Sequence, residues 1–204
     1  MMKKFVLLLS VLCAFGCKPL LVKLYGIKNP SFVTEEKIKK YLLKKDIDTT
    51  GLLYTKDLKA WQDVLSIGMP NAYFFNAKGE YVNYKKTASD CNAKVGSFIE
   101  DLKSLNTEPS DKEFTLEKMF GKLSSYNGKP TEVTGYDGYV LITWATYVGK
   151  LNRDKSFDWV ELIKTAQSKG VNVKMCLING DLQEKWGMSE EEKSQLDFDF
   201  DFNQ

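Results

Sequence analysis

The apolar positions of this chain fall in blocks whose period changes along its length, and those changes predict its elements. Met1 to Lys4 is short and basic, Phe5 to Ala14 is a nearly unbroken apolar run, and small Gly16 precedes Cys17. That order of regions predicts a signal peptide. Leu20 to Tyr25 reads as a short strand ending at Gly26, with Asn29-Pro30-Ser31 as a turn. A helix capped by Thr34 follows, with Glu35 and Glu36 at its positive end and Ile38, Tyr41 and Leu42 on one face. Gly51 to Thr55 reads as a second strand, and Leu58, Trp61 and Leu65 mark a second helix closed by Gly68. Met69-Pro70 leads into a strand, Ala72 to Asn76, joined through Ala77-Lys78-Gly79 to Tyr81 to Lys85 as a hairpin. Asp90 is the expected cap of a helix whose buried stripe is Val95, Phe98, Ile99, Leu102 and Leu105.

Asn106 to Asp111 is polar, without an apolar period, and reads as the start of a linker. Beyond it, Leu116, Met119, Phe120 and Leu123 make a short amphipathic helix, and Asn127-Gly128-Lys129-Pro130 a turn. Tyr139 to Trp144 is a continuous apolar run suited to burial on both faces. A helix capped by Ser156 follows, with Trp159, Leu162, Ile163 and Ala166 inside and Gly170 past its end. With the strand Val171 to Ile178 it forms a βαβ unit, whose two strands should lie parallel in one sheet. Ser189 with Glu190 to Glu192 starts one more helix. The alternation of Asp197, Asp199 and Asp201 with Phe reads as a frayed tail or an edge strand; a calcium reading lacks a ligand loop. The organisation expected is a signal peptide over 1–16, a unit over 17–105, a linker over 106–113, a partial second unit over 114–188 and an acidic tail over 189–204.

With 43% apolar and 13% aromatic residues, the chain can bury a real core. It has no histidine, which removes Ser-His-Asp and Cys-His catalysis and every histidine-containing zinc site. Without residues 1–16, Lys3 and Lys4 leave, and 27 basic residues face 27 acidic ones. A neutral chain is no partner for nucleic acid. The neutrality hides a split, since residues 18–105 carry 15 Lys against 10 acids, and residues 106–204 carry 12 basic residues against 17 acids. An acidic tail accounts for it, or the halves dock on each other.

From Phe5 to Cys17 the run is well short of the ~20 residues that span a bilayer. Ala14-Phe15-Gly16-Cys17 resembles a lipobox, lacking the usual Leu three residues before the cysteine. The resemblance implies acylation of Cys17 and a firm anchor, each buried methylene contributing about 0.8 kcal/mol. Lys18 after it is similar to lipoproteins passed to the outer membrane, facing the periplasm. Ordinary cleavage and a secreted soluble protein is the alternative.

Trp144-Ala145-Thr146-Tyr147-Val148-Gly149-Lys150-Leu151 stands at the end of the Tyr139 strand. It resembles the Trp-Ala-Thr-Trp-Cys-Gly-x-Cys stretch of extracytoplasmic thioredoxin-like oxidoreductases, with Val148 and Leu151 at the two cysteine positions. The resemblance covers about residues 114 to 186, and more loosely 20 to 105. It implies an α/β, thioredoxin-like fold, a central mixed sheet flanked by helices, as one complete unit plus a partial second. It also implies that Pro70 is cis and lies beside the turn. A complete unit of that family needs a proline-led hairpin after Val171 to Ile178, and none follows there. Either the second half leans on the first, or the two build one sheet.

The family's nucleophile is a thiolate at a helix N-terminus, and a second cysteine resolves the mixed disulfide. Valine and leucine can do neither, so the expectation is a redox-inactive envelope lipoprotein without cofactor or metal, with a binding or assembly role. Trp144, Tyr147, Val148, Leu151 and Pro70 then mark a groove for an extended peptide or an envelope protein. The rival is a thiol enzyme, an oxidoreductase or peroxidase acting through Cys91. That residue stands at an expected helix start with Lys94 one turn on, which favours its thiolate, while Asp90 before it works against that. Cys176, inside an apolar strand, reads as an inert buried thiol. A disulfide between Cys91 and Cys176 and a plain structural thiol at Cys91 are the other readings.

Overall fold

The computed structural model describes residues 18–87, 90–128 and 134–196. Cys17, Lys129-Pro130 and the Asp197, Asp199 and Asp201 tail lie outside the described residues. The chain runs through helix α1 (Lys18–Tyr25), a short strand β1 (Phe32–Val33) and α2 (Glu35–Leu43). Next come β2 (Leu53–Thr55), α3 (Leu58–Leu65), the hairpin β3 (Ala72–Asn76) and β4 (Glu80–Val82), and α4 (Lys94–Glu100). β5 (Ser110–Thr115), α5 (Leu116–Phe120) and β6 (Leu123–Ser125) lead to β7 (Gly138–Trp144). A wide π-type turn, Asn152–Phe157, opens α6 (Asp158–Ser168), followed by β8 (Val173–Asn179), β9 (Leu182–Gln183) and α7 (Glu190–Ser194).

Among the described residues one mixed sheet of seven strands has the order β5-β4-β3-β7-β8-β2-β6. β7, β8 and β2 are parallel neighbours, while β3 runs antiparallel to β7, β4 to β3, β5 to β4 and β6 to β2. β7 is buried at all seven positions, as its unbroken apolar run requires. Its alternate side chains serve two cores. Val140, Ile142 and Trp144 join Ile38 and Leu42 of α2, Val95 and Ile99 of α4 and Trp159 and Ile163 of α6. Tyr139 and Leu141 join Val64 of α3 and Leu116 and Met119 of α5. The result is an α/β protein with helices on both faces of the sheet.

The two halves of the chain therefore build one continuous sheet. First-half strands β4, β3 and β2 alternate with second-half strands β5, β7, β8 and β6. The segment read as a linker ends inside β5, a polar edge strand, because an edge needs no apolar period. Ladder hydrogen bonds join the halves, whereas ion pairs between them run in both senses. Lys86 of the first half pairs with Glu108, but Lys122 and Lys185 of the second pair with Asp63 and Glu35. The charge split is not what holds them.

Three local expectations are corrected. Leu20 to Tyr25 is helical, not a strand. Gly26, at φ 65°, closes α1 with Ile27 N–H donating to the Val22 carbonyl at 3.0 Å and Gly26 N–H to Lys23 at 3.3 Å, the Schellman pattern. Asp90 caps no helix. Its Oδ2 accepts from the amides of Lys86 and Thr87 at 2.8 and 3.0 Å, a local loop closure that competes with capping, and α4 begins after Ala93 without a side-chain cap. Ser156 lies inside the π-type turn, and its hydroxyl donates to the Thr143 carbonyl at 3.0 Å. Thr34 does cap α2, accepting from Lys37 N–H at 3.4 Å, and Ser189 forms a capping box with Glu192.

Candidate functional site

In a sheet with parallel central strands, ligands usually meet the carboxyl ends, and here that end carries the Trp144 to Leu151 stretch. Trp144 ends β7 and is fully buried, its ring stacked on Tyr41 at 5.6 Å and tilted against Phe157 at 6.0 Å. Its indole N–H has no partner among the described residues, which costs about 1–3 kcal/mol. Thr146–Val148 form a 3₁₀ turn, and Gly149 takes φ 58° and ψ −128°, a conformation open almost only to glycine.

The Pro70 loop lies beside this turn. Asn71 N–H donates to Thr143 Oγ1 and Thr143 N–H donates to the Asn71 carbonyl, both at 2.8 Å, and Ala72 pairs with Ile142. Continuing the register sets Pro70 opposite Trp144. The Met69-Pro70 bond is cis. Asn92 Nδ2 donates to the Pro70 carbonyl at 2.7 Å. The Tyr84 hydroxyl, 2.8 Å from Asn71 Oδ1 and 2.9 Å from Asn92 Oδ1, shares its one proton between them, and burial pushes it up to about 12.

Trp144, Val148 and Pro70 are thus brought together, but not as an open groove. Trp144 is fully buried, Val148 is 4% exposed and Pro70 is buried; Tyr147 and Leu151 are half-buried. Tyr41 and Phe157 pack on Trp144, and the chain itself lies against the Tyr147 to Lys150 turn. The segment after α1, residues 26–33, crosses the carboxyl end of β7 as a strap. Lys28 N–H donates to the Tyr147 carbonyl and Lys150 N–H donates to the Tyr25 carbonyl, both at 2.8 Å. A Cβ on Gly149 would overlap the carbonyl oxygens of Tyr25 and Gly26, so glycine permits the approach. The strap then pairs through β1 with β9, Phe32 opposite Leu182 and Val33 opposite Gln183. On the other side, a Cβ on Gly180 would overlap Met69 Cε, so Met69 fills the remaining gap.

Beneath the strap lies a polar network that the sequence reading does not single out. Asp181, fully buried, accepts from Thr146 N–H at 2.9 Å, Thr146 Oγ1 at 2.7 Å and Asn179 Nδ2 at 2.8 Å. Gln183 Nε2 donates to Asn179 Oδ1 at 2.7 Å, and the Tyr126 hydroxyl donates to Gln183 Oε1 at 2.5 Å. No cation is bonded to Asp181 among the described residues, and burial raises its carboxyl above the usual range, against those donors. Burial also raises the Tyr147 hydroxyl, the Asp181 charge adding to it.

Cys91 is exposed, and it precedes α4 by three residues rather than standing at its N-terminus. Its carbonyl accepts from Lys94 N–H at 3.0 Å, in the turn that leads into the helix. Cys176 is a free, buried thiol that burial pushes up to about 11. The two form no disulfide.

These features define an α/β protein whose mixed sheet carries a closed, polar-lined carboxyl end. No family model, curated protein or solved structure matches the chain. No described helix is long and apolar enough to cross a membrane.

Proposed function

We propose that this chain is a redox-inactive lipoprotein of the bacterial cell envelope, built on a thioredoxin-like body and acting by binding rather than by thiol exchange. One observation carries the reading: the turn after β7 sits beside the Pro70 loop with Val148 and Leu151 where the resemblance expects thiols. The strand order supports it. The βαβ unit β7-α6-β8 borders the proline-led hairpin β3-β4 in the order β8-β7-β3-β4, the neighbourhood that the resemblance calls for. In this chain the hairpin precedes the βαβ unit, so the same neighbourhood is reached by a rearranged chain order.

Exchange needs a thiolate to attack a disulfide sulfur and a second thiol to resolve the product. Neither position 148 nor 151 supplies sulfur, and the strap already pairs with the backbone of the turn. An extended segment of the chain itself lies along the turn, which suits a scaffold in the envelope better than a turnover site. Acylation of Cys17 would hold it at a membrane.

Metabolic labelling with palmitate tests the anchor: wild type is expected to carry label and fractionate with membranes, and Cys17→Ser to lose both. An unlabelled wild type would contradict it. Insulin reduction by the purified protein with dithiothreitol is expected to stay at the rate of dithiothreitol alone. A faster rate that disappears in Cys91→Ser would overturn the non-enzymatic reading.

A further inference from the structure

We infer that the face formed by α1, the strap and the Gly149 turn is a docking surface for an anionic phospholipid bilayer. The inference rests on the reading of Cys17 as the acylated residue. No acid occurs before Glu35, and Glu35 itself is bonded to Lys39 and Lys185. Lys23 and Lys28 are exposed along α1 and the strap, and Lys150 is exposed on the turn. The two backbone hydrogen bonds between strap and turn bring Lys28 and Lys150 to the same place, although they are far apart in sequence. None of these three lysines makes an ion pair among the described residues.

Behind them Arg153 pairs with Asp154 at 2.6 Å. The Asp154 carboxyl is held below its usual range by that Arg153 hydrogen bond, with Lys150 and Lys155 adding through space. The Asp154 carboxylate is thus already paired with a cation. Leu24, beside Lys23, is 59% exposed, an apolar side chain amid cations. Lys23, Lys28 and Lys150 thus leave unpaired positive charge at the α1 end of this face, while at its far end Phe32 meets Lys193, which is paired with Glu184 and Glu190.

Chain length sets the distance. Cys17 immediately precedes α1, and an eight-residue helix is about 12 Å long. An acylated Cys17 would hold this face within roughly 12 Å of the headgroups, close to the ~8 Å screening length at physiological salt. The opposite end of the sheet, with Lys78 after β3, Lys112 in β5 at the level of Tyr139, and Lys169 before β8, is about 20 Å further off along β7. Polybasic segments next to an anchor bind anionic lipid in this way.

The test uses the mature chain with Cys17→Ser, so that no acyl group contributes, in flotation with phosphatidylglycerol-containing vesicles and with pure phosphatidylcholine vesicles. The expected result is binding to the anionic vesicles alone, weakened by salt. Lys23→Glu, Lys28→Glu, Lys150→Glu together should lower it at least about tenfold, and Lys78→Glu, Lys112→Glu, Lys169→Glu should leave it unchanged. The glutamine triple at 23, 28 and 150 gives a second variant, and circular dichroism checks that each folds. Equal losses in the two charge-reversed triples, or no binding by the parent protein, would overturn the surface. Palmitate labelling of the Cys17-containing forms reads the anchor separately, so labelled protein without vesicle binding in the unacylated form would sink the surface and leave the anchor standing.

Discussion

Asp181 shows how one residue can shape the carboxyl end of the sheet. It has three donors and no bonded cation, so its hydrogen bonds favour the charged form while burial opposes it more strongly. A carboxyl raised in the folded state binds more protons there than in the unfolded chain between the two pKa values. Its contribution is then full below the ordinary value of 3.8 and is lost as pH rises through the folded pKa. Relative to Asp181→Asn, wild-type unfolding free energy should fall as pH rises from about 4 to 8, measured as urea midpoints across that range. A difference that stays flat with pH would show that Asp181 does not titrate above its ordinary value.

At the scale of elements, the connection between β7 and α6 depends on Asn152. Its Nδ2 donates to the Ala145 carbonyl at 2.7 Å and to the Tyr41 hydroxyl at 2.9 Å, and its Oδ1 accepts from Ala145 N–H at 3.4 Å. This buried amide pins the π-type turn to the strand end and to α2. Asn152→Ala should cost about 1–3 kcal/mol of unfolding free energy, read from urea denaturation, and a cost within error would mean that the turn is held by other contacts. Asn152 shows where sequence reading stops, since an Asn within a polar run looks solvated. The long elements are legible: β7 by its apolar run, α2 by Thr34 and its period, the β3-β4 hairpin by Pro70 and Gly79. α1 is not, because Leu20 to Tyr25 is too short for helix and strand periods to be told apart. The Tyr126, Asn179, Asp181 and Gln183 network is likewise hidden, because its partners Thr146 and Tyr126 come from segments distant in sequence.

For the molecule as a whole, the interleaving of the two halves decides what the Trp144 to Leu151 stretch is. The sequence motif alone marks a groove built from distant segments. The fold brings those segments together and holds the end of α1 and the strap against the turn, through Lys28 to Tyr147 and Lys150 to Tyr25. The strap is therefore both the seal of the turn and the path from Cys17 to the body, which ties the anchoring reading to the loss of the open groove. Gly149 is the hinge of that arrangement, because its backbone conformation and its contact with Tyr25 and Gly26 both exclude a side chain. The most direct test is amide hydrogen exchange of wild type and Gly149→Ala. The amides of Lys28 and Lys150 should be protected in wild type and lose that protection together in the variant, while Val140 to Ile142 of β7 stay protected. Lys28 and Lys150 exchanging in wild type at the rate of an unstructured peptide would contradict the sealed turn, and with it the reading of this chain as a closed, binding-only body.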